Sequence, residues 1–582
     1  MTRRLVAVSL GVLVLLGVGA APAGAHAQLV ATDPLAAAVV DESPSTITLR
    51  FTEPVEASLG AVRLYDGART RIDVGAPQHP DGDRSEVRVD LPELSDGSYV
   101  ATWRVISGDS HPVQGAFTFQ IGPNATANVT SLAEQLLAEQ GGDRVVGIAY
   151  GIDRFLVFAS IAVLVGGLGF ITVIAPSSRT RRLTRIILWT ALAVCAASTA
   201  AGVGLQGAYA AGLGLADAFK PSLVRDVLDT QFGRVSVVRL ALLVVVLLLL
   251  RSFLSRGEGG SAPRWWPPSV AVLAVAIAAT PGLGGHATSG DHVTLAIVAD
   301  ALHVLAMSLW LGGLVFLVAV LLRDAGVPDV RAGVTRFSRL ALGCVITLIA
   351  TGSFQSWRQL GSLEALRDTE YGQLLVVKIV LVAGMVVVAA FSREIVYRLY
   401  YRSDEDEELV TPEVVASGGA IDLDEVDDPG DESFDDPREL RRLRRSVAVE
   451  VLVAVVVLSV TAMLVNTPPG RAELSGPFTT LVQTDELSFD VIVAPGSAGP
   501  NDLHLTALTP GGGASDPLEM SATMEFPGEE IAPIEVPLRK LGPGHYLASG
   551  FNVPIAGEWR LEIRALVSEV DEVTAETPVP IR

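Results

Sequence analysis

Eight long apolar segments limit what this 582-residue chain can fold into. They run over about 146–175, 184–206, 234–254, 268–284, 293–322, 337–357, 373–393 and 446–466. About 20 apolar residues in a helix cross the hydrocarbon of a bilayer. Hydrophobic residues make up 49% of the chain and charged residues 18%, and the apolar share sits in these blocks. That is a polytopic membrane protein. The fourth segment is short and contains Pro281, and the fifth is long enough to tilt or overhang.

Orientation follows from the arginines, which favour the cytoplasmic side. With residue 26 outside, the inside loops carry Arg179, Arg181, Arg182 and Arg185, then Arg251, Arg256 and Arg264, then Arg323, Arg331, Arg336 and Arg339. The last inside loop carries Arg393, Arg398, Arg402 and Arg441–Arg445. The outside loop 285–292 has neither Lys nor Arg. An even span count puts both soluble ends outside. The net charge of −21 has a mostly local origin: Asp404 to Glu439 holds 16 acidic residues against Arg438. Residues 403–440 read as an acidic, disordered cytoplasmic loop.

The N-terminus reads as a secretory signal: Thr2-Arg3-Arg4, an apolar run from Leu5, then Ala23-Gly24-Ala25. Cleavage after Ala25 makes His26 the first mature residue. Its α-amine and ring Nδ1 form a chelate suited to tetragonal Cu(II). The plain alternative is that His26 merely flanks the cleavage site. A second feature is Ser107-Gly108-Asp109-Ser110-His111-Pro112, between expected strands 99–106 and 116–121. Residues i and i+2 of a strand share a face, so Asp109 and His111 can reach one ion.

The stretches "HAQLVATDP", "ITLRFTEPVE" and "GSYVATWRVISGDSHPVQGAFTFQIG" make residues 26–121 resemble the copper-binding CopC family. The resemblance implies a Greek-key β-sandwich of cupredoxin-like or immunoglobulin-like kind. It also implies Cu(II) ligation by His26, Asp109 and His111, with Glu53 as an outer contact. Some relatives carry a Met-rich Cu(I) site, but this segment has no Met; the six fall at 1, 307, 385, 463, 520 and 524.

Ionisable residues inside spans are functional candidates by default. His292, Asp300 and His303 lie at near-helical spacing in the fifth span, and His286 sits at the outer end of the fourth. His303 lies about ten residues from the outer end, near mid-bilayer. Together they outline a path inward from the outer surface. Lys378 is placed to snorkel outward, and Glu450 to sit among the arginines before it. Cys195 and Cys344 are too few for a disulfide framework and read as buried packing residues.

The stretches "GLGGHATSG", "DALHVLAMSLWLGGL", "RFSRLAL", "TGSFQSW" and "EYGQLLVVKIVLV" make the block 144–467 look like the CopD family of copper-transport membrane proteins. That resemblance implies copper movement across the inner membrane, usually uptake. Residues 122–143 read as a linker. The tail, 470–582, alternates apolar and polar residues between Gly- and Pro-bearing turns, which fits a small extracellular β-sandwich. It vaguely resembles a YtkA-like module. Met520 and Met524, with His504 or His545, form a further candidate Cu(I) site there.

The sequence thus predicts a non-enzymatic copper protein: copper ion and the lipid bilayer as partners, extracytoplasmic copper proteins as possible recipients, no nucleic acid. The leading expectation is Cu(II) capture at the mature N-terminus and translocation through the membrane block, serving copper homeostasis. The alternative is a membrane-anchored chaperone that delivers copper outside without flux. A polysaccharide-cleaving copper enzyme and a haem carrier are weaker readings. Asp109 would fill a coordination position the enzyme needs open, and His pairs on facing spans are lacking. No phosphate-binding GxxxxGK[ST] loop and no Cys-Pro-Cys are present.

Overall fold

The computed structural model describes residues 27–581 except 28, 37, 58–60, 109–111, 123–129, 140–141, 255–262, 286–291, 324–329, 401–436, 472–477, 510–514, 529–530 and 543. His26, Asp109, His111, His286 and nearly all of the acidic loop therefore lie outside the described residues.

The N-terminal region is a two-layer β structure. One layer orders β1 (Leu29–Asp33), β3 (Thr46–Phe51) and β7 (Glu86–Asp90). The other orders β2 (Val39–Val40), β9 (Pro112–Ile121), β8 (Gly97–Ser107), β5 (Val62–Asp66) and β6 (Arg71–Ile72), with β4 (Val55–Glu56) also on β8. Alternation fills the space between layers: Ile47, Leu49 and Phe51 from β3 and Val87 and Val89 from β7 are buried. Trp103 of β8 meets Phe51 edge-on with centroids 5.3 Å apart. Gly115, its partner on β9, has no Cβ because the indole occupies that place. A short helix, α1 (Thr130–Glu139), leads to the membrane block.

Eight helices among the described residues are long and apolar enough to cross a membrane. They are α2 (Arg144–Gly169, extended to Ile174), α3 (Arg182–Ala211), α5 (Gln231–Leu254), α6 (Trp266–Leu283), α7 (Val293–Met307, extended to Leu321), α8 (Val330–Leu360), α9 (Glu370–Tyr400) and α10 (Pro437–Asn466). Between α3 and α5 lies a short helix, α4 (Pro221–Asp229). The fourth span is the shortest, 18 residues with Pro281 inside, as its sequence implied.

The centre of the bundle is a glycine crossing. A Cβ on Gly312 would collide with the Ala162 carbonyl and lie 2.9 Å from Gly166 Cα. Close backbone approach of this kind is how small residues join membrane helices. The helix widens to a π turn over Ser308–Gly312 at the same place, and Ser308 Oγ bonds back to Val304 O at 2.7 Å. The Trp-Leu-Gly-Gly stretch is thus a packing element: Trp310 is buried and the glycines admit the neighbouring helix.

The C-terminal region has two packed sheets. One orders β10 (Phe478–Gln483), β11 (Ser488–Ala494), β12 (Gly499–Leu508), β16 (His545–Val553) and β15 (Arg539–Gly542). The other orders β14 (Ile534–Val536), β13 (Glu519–Glu525), β17 (Gly557–Leu566) and β18 (Glu572–Ile581). Leu503, Leu505 and Ala507 face Ala522, Met524, Trp559, Leu561 and Ile563 in one core.

Candidate functional site

The frame of the N-terminal candidate site is present on both sides of its outlying ligands. The Ala27 amide donates to Ser107 Oγ at 3.3 Å, and that hydroxyl donates to Glu53 Oε1 at 2.6 Å. Ala27 and Ser107 are both buried. These bonds tie Ala27 to the end of β8, two residues before Asp109 in the sequence. Glu53 bonds the Ser107 hydroxyl, which makes it a clamp on the strand end.

This strand end sits on the membrane block. Arg104 of β8 donates to the carbonyls of Ala210 (Nε, 2.6 Å) and Tyr209 (Nη2, 3.0 Å) at the C-terminal end of α3. A cavity of about 80 Å3 separates Ser107 and Gly108 from Gln206, Thr230, Gln231 and Phe232. Gln231 Nε2 in turn donates to Leu283 O at the C-terminal end of α6, at 2.8 Å. One residue back, Gly282 leaves room for the Asp300 carboxylate of α7, which a Cβ there would strike.

Asp300 opens onto a cavity of about 710 Å3 between α7, α8, α9 and α10. Asp300 Oδ1 accepts from Gln355 Nε2 at 2.9 Å, while Oδ2 is buried with no hydrogen-bond partner among the described residues. His303 lines the same cavity, and its Nδ1 lies 2.9 Å from Thr351 Oγ1. Thr351 gives its own proton to Thr347 O at 2.7 Å. The threonine oxygen therefore accepts from Nδ1–H, and the lone pair of neutral His303 is on Nε2.

Several expectations change. His292 is not on the α7 face: the helix starts at Val293, and His292 precedes it in a left-handed turn (φ 53°), exposed. It does not line the cavity. Lys378 does not snorkel outward; it lines the cavity within the field of Asp300. Glu450 is buried between spans and accepts from Ser392 Oγ, away from the arginines. Met524 is enclosed between the C-terminal sheets and Met520 packs against the same core. His504 and His545 alternate with core residues on the other sheet and stack on each other, centroids 5.9 Å apart. The fold therefore brings the two histidines together and keeps them apart from the Met524 thioether. Cys195 and Cys344 are buried and free.

Other polar residues inside spans were not singled out by the sequence. Arg239 is buried in α5 and donates to Thr280 Oγ1 at 2.8 Å, with Asp153 near it. Arg358 lines the large cavity. So do Met307 and Met385, and for Met307 the signal was its position one turn after His303.

A soluble β domain seated on an eight-helix bundle, with polar residues leading from the junction to a buried cavity, defines a membrane metal-handling protein. Residues 29–122 match the CopC domain family. Residues 145–295 match the N-terminal domain of copper resistance protein D-like proteins, and residues 331–464 match copper resistance protein D. The chain belongs to the copper resistance and transport family, as a fusion of a CopC domain with a copper resistance protein D membrane domain. It is 26% identical over 373 residues to copper transport protein CutJ of Bacillus subtilis (strain 168), covering 63% of this chain and 67% of that one. Inner membrane protein YebZ of Escherichia coli (strain K12) is 28% identical over 271 residues, 44% of this chain and 87% of YebZ. Copper resistance protein C of Xanthomonas campestris pv. juglandis is 35% identical over 118 residues, 19% of this chain and 91% of that protein.

Proposed function

We propose that the protein takes up copper, capturing Cu(II) outside the membrane and passing it through the bundle. His26 supplies amine and imidazole nitrogens, and Asp109 and His111 complete a tetragonal set. Both soluble ends then face the extracytoplasmic side, in keeping with the arginine-rich loops opposite. The observation that carries this reading is the seating of the strand end at Ser107 over the outer ends of α3 and α5, with only a small cavity between. Copper released there has a short path past Gln231 and Leu283 to Asp300 and His303. Capture and acceptance within one chain raise the effective concentration of metal at the bundle.

The test is copper entry into proteoliposomes that carry the full chain. The reading expects entry in the wild type, with strong losses when one residue is added ahead of His26 or when His303→Ala is made. Cu(II) bound outside without entry in the wild type would reject transport and favour a membrane-anchored chaperone. Cu(II) binding indifferent to the added residue would reject the N-terminal ligand set.

A further inference from the structure

The large intramembrane cavity changes chemical character with depth. Along a helix at about 1.5 Å per residue, Asp300 lies about 10 Å from the outer end of α7 and Lys378 about 12 Å from that of α9. Arg358 is within one turn of the outer end of α8. The charged groups therefore occupy the outer half. His303 follows at about 15 Å, then Met307 at about 21 Å and Met385 at about 22 Å. By this count Met307 of α7 and Met385 of α9 fall at similar depths, one turn beyond His303. Around that depth the other lining residues are apolar or aromatic: Trp310, Leu311, Val345, Leu348 and Val386. Only six methionines occur in the chain, and two of them line this one cavity with its histidine.

We infer that His303 Nε2 and the thioethers of Met307 and Met385 form an intramembrane site for Cu(I). The inference rests on the reading that copper enters the membrane domain, and it names the ion the cavity accepts; Cu(II) captured outside takes one electron from an external one-electron donor, a thiol or a membrane quinol, before it enters as Cu(I). Thioether and neutral imidazole are soft or borderline donors that suit Cu(I), whereas Mg and Ca want oxygen. The three donors carry no charge. The desolvation penalty of an ion in hydrocarbon rises with the square of its charge, so a neutral donor set here holds a monovalent ion far better than a divalent one. His303 is already oriented for the task, because Thr351 fixes its proton on Nδ1. All three donors line one cavity between four helices.

The experiment uses the full chain in detergent, given Cu(I) anaerobically from its bicinchoninate complex and examined by copper-edge X-ray absorption. Wild type is expected to take Cu(I) with a sulfur-containing shell. The double variant Met307→Leu/Met385→Leu keeps side-chain volume and is expected to lose the sulfur shell. Its Cu(I) affinity falls by more than the roughly 10-fold that loss of a supporting hydrogen bond brings. Met463→Leu, whose side chain is exposed on the outside of α10, is expected to behave as wild type. Met520 and Met524 are shared by every variant. Unchanged affinity and an unchanged sulfur shell in the double variant would overturn the site. Copper entry into proteoliposomes separates this from the broader reading. Entry without any dependence on the two methionines keeps transport and rejects the site. Methionine-dependent Cu(I) binding without entry keeps the site and rejects transport.

Discussion

His303 Nδ1 and Thr351 Oγ1 lie 2.9 Å apart across α7 and α8, and the threonine hydroxyl is already donating to Thr347 O. With the threonine proton on Thr347 O, the imidazole is the donor of the pair. Its Nε2 is then the ring nitrogen left as an acceptor, on a side chain that lines the cavity.

Thr351→Val removes the acceptor and leaves the side-chain shape. Copper entry is expected to fall by roughly 10-fold, the usual effect of losing an outer-shell partner of a metal-binding histidine. Thr351→Ser restores the oxygen and is expected to restore most of the rate. Equal rates in Val and wild type would show that the ring needs no such support.

The crossing of Gly166 and Gly312 sets the shape of the bundle on which this site depends. A methyl group on Gly312 has to displace backbone of α2, which no rotamer change relieves. Gly312→Ala is expected to destabilise the purified protein by about 1–3 kcal/mol, the range for overpacking. Gly343 in α8 has open space where a Cβ would stand, so Gly343→Ala is the matched control and is expected to be neutral or slightly stabilising. Thermal unfolding of both in the same detergent checks the difference.

Much of this was legible in the sequence because hydrophobic runs and arginine placement are strong, local signals. All eight spans appear near the expected positions, and Asp300 and His303 share a cavity as their three-residue spacing required. What failed were statements that need a helix boundary or a neighbour. His292 falls one residue short of the α7 helix, so its eleven-residue spacing from His303 carries no facial relation. Lys378 and Met385 face the cavity because α9 packs against α10 and α8, and no periodicity within α9 announces those partners. Met524 looked like a donor by residue type, but alternation along β13 turns it into the core.

Arg104 is the polar tie between the soluble domain and the bundle. Its two bonds go to the Tyr209 and Ala210 carbonyls in the last turn of α3, where carbonyls have no full set of helical partners. Hydrogen bonds from a charged group contribute about 1.5–3 kcal/mol each. Arg104→Ala is expected to leave Cu(II) titration of the N-terminal domain unchanged while copper entry drops. Faster hydrogen exchange at residues 205–213 of the variant would report the loosened contact. Unchanged exchange and unchanged entry would show that docking does not depend on this side chain.

The C-terminal domain should respond to acid through its stacked histidines. His545 is buried with neither ring nitrogen hydrogen-bonded among the described residues, and burial, then the nearby His504, pulls its pKa from 6.5 down to about 4. His504 is also held below its ordinary value, chiefly by burial. Both are disfavoured as cations in the folded state, so the unfolded chain binds protons that the folded domain refuses. Stability is therefore full above about pH 6.5 and is lost as the pH falls from there toward 4. Hydrogen exchange of β12 and β16 in the full chain, corrected for intrinsic rates, is expected to show weaker protection at pH 5 than at pH 7. His545→Gln removes the titrating ring and should flatten that dependence. A slope of the same size in the variant would assign the acid response to other groups.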